Sequence, residues 1–240
     1  MIGWLRREVC DPSITLGERD VPIAIRRHKG AKRMTLRLAP DGSEVRLTLP
    51  QWGRTADAME FARNRRDWLE AQLAKLPPPC PPVPGGTLRY RGGELRVEWE
   101  HAAPRRPLRV GEAVRLGGPR ESIARRLQRW LESEARALIE GDLADYCTAA
   151  GRDRPLLRLS RAHRRWGSCA GNATIRVNWR LVQAPDAVRR SVVAHEVAHL
   201  VHFDHGPAFH VLLGEIYEGD LAAADRWLKQ NGRGLYAMFG

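Results

Sequence analysis

Five of the eight histidines in this 240-residue chain fall between His195 and His210, and residues 195 to 199 read His-Glu-Val-Ala-His. The surrounding pattern is helical: Val188, Val192, Val193, Val197, Leu200 and Val201 recur on one apolar side. On a helix, residues four apart are separated by about 40° and by about 6 Å of rise, so the imidazoles of His195 and His199 leave one face and can meet a single ion. Zinc accepts neutral imidazole nitrogens at about 2.0 to 2.1 Å, and two such ligands leave a protein ligand and a water position still to be filled. Glu196 points about 100° away from His195, which makes it a poor third ligand but a good base for a water held on the ion. A purely structural zinc site is the bland alternative, and such sites close with four protein ligands and need no glutamate beside them.

Three positions compete for the third ligand. His202 belongs to the same helix, His205 follows it, and Glu215 stands on the next predicted helix. His205 is favoured: one nearly straight helix cannot bring three imidazoles to one ion, whereas Gly206 permits a turn that folds His205 back. Pro207 then opens a helix through Phe209, Leu212, Leu213, Ile216 and Tyr217 that would fix that return. Glu215 stays open as an alternative from this second helix.

The elements that must position these groups can be traced from the N-terminus. Alternating apolar residues from Val21 to Pro50, with a Pro40-Asp41-Gly42 turn, predict a small antiparallel sheet. Its outward face is basic, with Arg26, Arg27, Lys29, Lys32, Arg33, Arg37 and Arg46. Thr55 can cap a helix running to about Leu76. The run Pro77 to Pro84 forbids regular structure and reads as a linker. Short strands are predicted at Thr87 to Arg91, Glu94 to Glu100 and around Leu108 and Val114. A long helix from near Pro119 to about Ala150 presents Ile123, Leu127, Trp130, Leu131, Leu138, Ile139 and Leu143 as one stripe, a backing helix of the core. Two more strands, around Leu156 to Leu159 and Ile175 to Trp179, flank the segment Arg161 to Asn172. The helix opened by Pro185 and ending near His202 carries the chemistry.

Composition sets limits. The net charge is +12 and 43% of residues are hydrophobic, which describes a globular chain with a basic surface that can attract nucleic acid or another polyanion. Cys10, Cys80, Cys147 and Cys169 form no C-x-x-C pair, so reduced thiols in a cytoplasmic protein are expected. Met1 to Asp20 is rich in charge and no long apolar run follows, so neither a signal peptide nor a membrane span is expected.

Further motifs surround the histidines: Arg165-Trp166-Gly167-Ser168-Cys169, Arg176-Val177-Asn178-Trp179-Arg180-Leu181, the helix Ser191 to Leu200, and His205-Gly206-Pro207-Ala208-Phe209. Together with the basic N-terminal sheet, over Val21 to about Arg233, they resemble the YgjP-like metallopeptidase domain family, related to the SprT-like and WLM proteases. Val197 stands where Leu is commoner in that family. The resemblance implies an α+β fold with a zincin-like catalytic domain at 85-240: a backing helix, a small antiparallel sheet, the H-E-x-x-H helix and following helices. Residues 1-84 would form a β-rich region with one helix and the Pro-rich linker, and 85-118 a β-hairpin insert longer than the family core. It also implies one Zn2+ on His195, His199 and His205, with Glu196 as catalytic base.

The function expected is peptide-bond hydrolysis by a zinc metallopeptidase. The ion brings the pKa of a water held on it to about 7, Glu196 takes the proton, and the leaving amine receives it. Oxyanion donors are sought among His163, Arg165, His210 and Tyr217. Arg165, Trp166, Asn178 and Trp179 are the candidate substrate-binding residues, the last two on a strand edge that could pair with extended substrate. Cys169 is read as packing or groove lining rather than as a nucleophile. Two other readings compete: a metal-dependent nucleotide phosphohydrolase, which lacks a P-loop and magnesium-holding carboxylates here, and a DNA-associated SprT-like protease, which the charge permits.

Overall fold

The computed structural model describes residues 12–76, 78–163 and 165–239. The chain divides at Pro78/Pro79 into two compact units. Cys80 belongs with the second unit because its N–H donates to the Ala237 carbonyl at 2.8 Å, so the division falls earlier than the end of the proline run. Cys10 lies outside the described residues; Cys80, Cys147 and Cys169 are free thiols.

In the first unit, β1 (Ser13–Leu16), β2 (Arg19–Arg27), β3 (Thr35–Leu38) and β4 (Val45–Leu49) form a sheet in the order β1-β2-β4-β3. The sheet is mixed rather than antiparallel. The turn at Gly42, whose φ is +73°, makes β3 and β4 a hairpin, and β2 then pairs parallel with the other edge of β4, Ile25 opposite Leu47. One face of the sheet buries Ile14, Leu16, Val21, Ile23, Val45, Leu47 and Leu49 against α1 (Thr55–Arg63) and α2 (Arg66–Leu73). The single helix expected here is broken at Asn64 and Arg65, and Thr55 does not cap it: its hydroxyl accepts a hydrogen bond from Arg27 Nη2 at 2.9 Å.

The second unit packs two sheets and four helices around one core. β5 (Thr87–Tyr90), β6 (Gly93–Trp99), β7 (Leu108–Val110) and β8 (Ala113–Leu116) are ordered β5-β6-β8-β7. A 3-10 turn leads into α3 (Ile123–Ala149), whose residues Ile123, Leu127, Leu131, Ala135, Ile139, Leu143 and Tyr146 are all buried. That spacing of three and four keeps one stripe inward for the whole helix, and removing any one of these side chains to alanine costs about 2 to 5 kcal/mol where it is leucine or isoleucine. β9 (Leu156–Ser160), β10 (Gly167–Cys169) and β11 (Thr174–Asn178) follow, then a 3-10 turn over Trp179–Gln183, then α4 (Asp186–Ala198), α5 (Pro207–Ile216) and α6 (Leu221–Asn231).

The sheet beside α4 also corrects an expectation. Its order is β10-β11-β9, with β11 parallel to β9 and antiparallel to β10. β11 is therefore the central strand, and the edges belong to β9 and to β10, a three-residue strand inside the segment that sequence left without structure. No described helix is long and apolar enough to cross a membrane.

Candidate metal centre

Helix α4 stops at Ala198, four residues earlier than the periodicity suggests, yet His199 keeps αR angles (φ −69°, ψ −16°) and its N–H still reaches the His195 carbonyl at 3.3 Å. The i,i+4 relation of the two imidazoles therefore survives the end of the helix. The chain then turns back through His202 to His205, and α5 begins at Pro207. Gly206 has φ −72° and ψ 177°, extended backbone that any residue adopts, so the return does not depend on glycine there.

The turn brings His205 home. The ligand-capable nitrogens of His195, His199 and His205 lie within 4.8 Å of one another, the one cluster of this kind among the described residues. Nε2 of His195 and Nε2 of His205 are 3.3 Å apart, which is about the separation of two nitrogens at 2.0 to 2.1 Å from a tetrahedral ion. His199 Nδ1 donates to the His202 carbonyl at 3.0 Å, which fixes its tautomer and leaves Nε2 with the lone pair. Burial, then the charges of His199, His205 and His210, holds His195 down at about 4, so the ring is neutral at neutral pH as a ligand must be. Phe209, fully buried, sets its ring 5.0, 4.6 and 4.8 Å from those of His195, His199 and His205. This apolar floor leaves His205 as the exposed side of the cluster. The donor set fits zinc with an accessible fourth position.

His202 gives its carbonyl rather than its ring, and Glu215 is exposed on α5 outside the cluster. Neither rival for the third position is brought to the other two histidines. Cys169 also stands outside the cluster, and burial pushes its thiol up, which disfavours the nucleophilic thiolate.

Glu196 is 5% exposed. Burial pushes its carboxyl up to about 7, against the pull of a backbone hydrogen bond from Cys169 and of the Arg165 guanidinium. The carboxylate lies on the backbone of β10: a β-carbon at Gly167 would meet its Oε1, Cγ and Cδ at 2.3, 2.6 and 2.7 Å. Sequence marked Gly167 only as part of a motif; which side chain it makes room for is a tertiary fact.

The helix itself is held from behind. Arg189 on α4 binds Asp142 on α3 through Nε at 2.7 Å and Nη2 at 3.2 Å, with both side chains buried. Arg190 reaches Asp142 and Asp145 at 3.1 and 2.9 Å and also pairs with Glu218. Asp142 was absent from the sequence reading, although an acid on an otherwise apolar helical stripe is a readable sign of a buried partner.

The other expected residues divide. Arg165 is exposed and acts electrostatically on Glu196. Trp166 is half-buried, 5.8 Å from the Tyr236 ring. Asn178 and Trp179 are fully buried and cannot border a cleft. The Asn178 side chain accepts from Arg180 N–H and donates to the Ala162 carbonyl at 2.9 Å, so it shapes the turn after β11 instead. Among the oxyanion candidates, the Tyr217 hydroxyl donates to the Ala187 carbonyl at 2.9 Å and so braces α4. His163 stacks on Tyr236 at 5.3 Å, and His210 is exposed on α5.

Comparison with curated proteins and with solved structures yields no match. The family model for the YgjP-like metallopeptidase domain matches residues 32–231, a span that takes in the three histidines, Glu196, Gly167 and Asp142. With most of the chain under that match, this protein belongs to the YgjP-like metallopeptidase family.

Proposed function

We propose that the protein is a zinc metallopeptidase in which His195, His199 and His205 hold one ion and Glu196 is the catalytic base. The observation that carries this reading is the convergence of three imidazole nitrogens within 4.8 Å, beside a glutamate buried to 5% exposure. When bound, zinc would supply a Lewis acid that acidifies water and polarises the scissile carbonyl. Glu196, pushed up to about 7, is matched to take a proton from the attacking water and return it to the leaving amine. The clearance at Gly167 fixes where that carboxylate sits.

The substrate is proposed to be an extended peptide. β10 is the edge strand of its sheet that lies against Glu196 at Gly167, so its outer backbone groups can pair with a substrate strand there. Arg165 and Trp166 immediately precede this edge and would meet substrate side chains. A cytoplasmic location and contact of the basic N-terminal sheet with polyanions belong to the same proposal, supported by the free thiols and by the net charge of +12.

Kinetics of Glu196→Gln with zinc content measured alongside test the mechanism. The expected result is full zinc occupancy with turnover lowered by about 10² to 10⁴. Full occupancy with unchanged turnover would remove Glu196 from the mechanism.

A further inference from the structure

All three residues of β7 are exposed. Between β7, the 103–107 loop and α3 there is a cavity of about 980 Å³. Its rim carries Arg105, Arg106, Arg109, Arg115, Arg126 and Arg129, against a single carboxylate, Glu134. That carboxylate already accepts the Tyr90 hydroxyl at 2.7 Å. Arg115 is neutralised by Glu98 at 2.6 Å, and Arg126 is committed to backbone carbonyls, including Pro119 at 2.7 Å. Arg105, Arg106 and Arg129 have no carboxylate partner among the described residues. The walls are apolar and flat: Pro104, Pro107 and the Trp130 indole, with Leu108 and Val110 exposed at 65% and 42%.

This pocket is built rather than incidental. A β-carbon at Gly117 would lie 1.8 Å from the Ala103 carbonyl oxygen, so only glycine lets the arginine-bearing loop approach so closely. The loop is then pinned by Gly117 N–H to the Pro104 carbonyl at 2.8 Å and by Arg126 Nη1 to the Arg105 carbonyl at 3.3 Å. Like charges are thus held together, and the Arg105 charge adds to burial in lowering Arg126. Such crowding is relieved by a counter-charge of matching density.

We propose that this pocket binds a nucleotide, with phosphates on Arg105, Arg106 and Arg129 and the base against the wall formed by Trp130 and the prolines. Guanidinium forks match phosphate oxygens, and closely spaced phosphates concentrate charge in a volume this size where peptide carboxylates, on side chains of alternate residues, spread it. A flat apolar wall accepts any base by stacking. The nucleotide can be free or part of a single strand, since both present the same groups. On α3, Arg129 and Asp142 are thirteen residues apart, about 20 Å along the axis, so the pocket lies well away from the residues that brace the metal helix.

The test is a titration of the zinc-loaded full chain, at low salt, with ATP and separately with a fluorescent oligothymidylate. At least one of the two binds, and Arg106→Glu/Arg129→Glu weakens that binding at least about tenfold. For the strand, the same variant lowers the slope of log K against log salt by about 1.4, the share of two phosphate contacts. Arg152→Glu/Arg154→Glu, an equal charge change on exposed residues just beyond the C-terminal end of α3, leaves binding within about twofold. Binding of ATP alone assigns the free nucleotide, and binding of the oligonucleotide alone assigns the strand. The neutral variant Arg106→Gln/Arg129→Gln, with its melting temperature, separates lost contacts from lost folding. Three results overturn the proposal: no binding by either probe, equal losses in the two charge-reversal variants, or displacement of the probe by oligoglutamate at equal charge.

Discussion

A β-carbon on Gly167 would stand 2.3 Å from Oε1 of Glu196, closer than real atoms approach. The carboxylate and the β10 backbone therefore fit only because position 167 has no side chain. Gly167→Ala must displace the glutamate or the strand, and overpacking of this kind costs about 1 to 3 kcal/mol. The expected outcome is a folded protein that keeps its zinc, melts several degrees lower and loses most of its peptidase activity. Peptide-cleavage rates set beside metal analysis check it, and unchanged activity in the Ala variant would show that the carboxylate has room to move.

The metal-free protein should reveal two opposed titrations. Glu196 is raised from 4.5 to about 7, so its contribution to stability is complete below 4.5 and disappears as pH rises through about 7. His195 is lowered from 6.5 to about 4, so its contribution is complete above 6.5 and disappears as pH falls through about 4. Between 4.5 and 6.5 the two slopes offset each other in the parent protein. In chelator, Glu196→Gln should become more stable as pH rises across that window, and His195→Ala less stable. Urea unfolding at a series of pH values measures both, and parallel slopes in the two variants would contradict the burial of either group.

Asp142 holds Arg189 with both side chains within 4% of full burial. Asp142→Ala leaves a buried guanidinium without its main partner, and about 3 to 5 kcal/mol of stability should be lost. Replacing the pair together, Asp142→Leu with Arg189→Met, should recover much of that loss. Denaturant midpoints with unchanged m-values are the measurement, and a loss below about 1 kcal/mol in the single variant would show the pair to be solvated.

The cluster of His195, His199 and His205 was readable because its members lie close in sequence. His195, Glu196 and His199 are fixed by helical spacing, and His205 by a turn whose exit is set by Pro207. The long apolar stripe of α3 was equally plain, since seven positions repeat at three or four. What sequence hid is non-local. The three residues of β10 carry no periodicity of their own and become a strand only by pairing with β11. Asn178 and Trp179 looked like cleft residues on an edge strand because strand order is invisible until β9 takes the other side of β11. The parallel pairing of β2 with β4 was missed for the same reason: a hairpin turn is local, whereas the edge to which an earlier strand returns is not.

Which side chains hold the metal is decided by zinc content in single-residue variants. Equilibrium dialysis against limiting zinc should give one ion per chain for the parent, for His202→Ala and for Glu215→Ala. His195→Ala, His199→Ala and His205→Ala should each bind far more weakly. Full zinc occupancy of His205→Ala under those conditions, or loss of the ion in Glu215→Ala, would show that a side chain other than His205 is the third ligand.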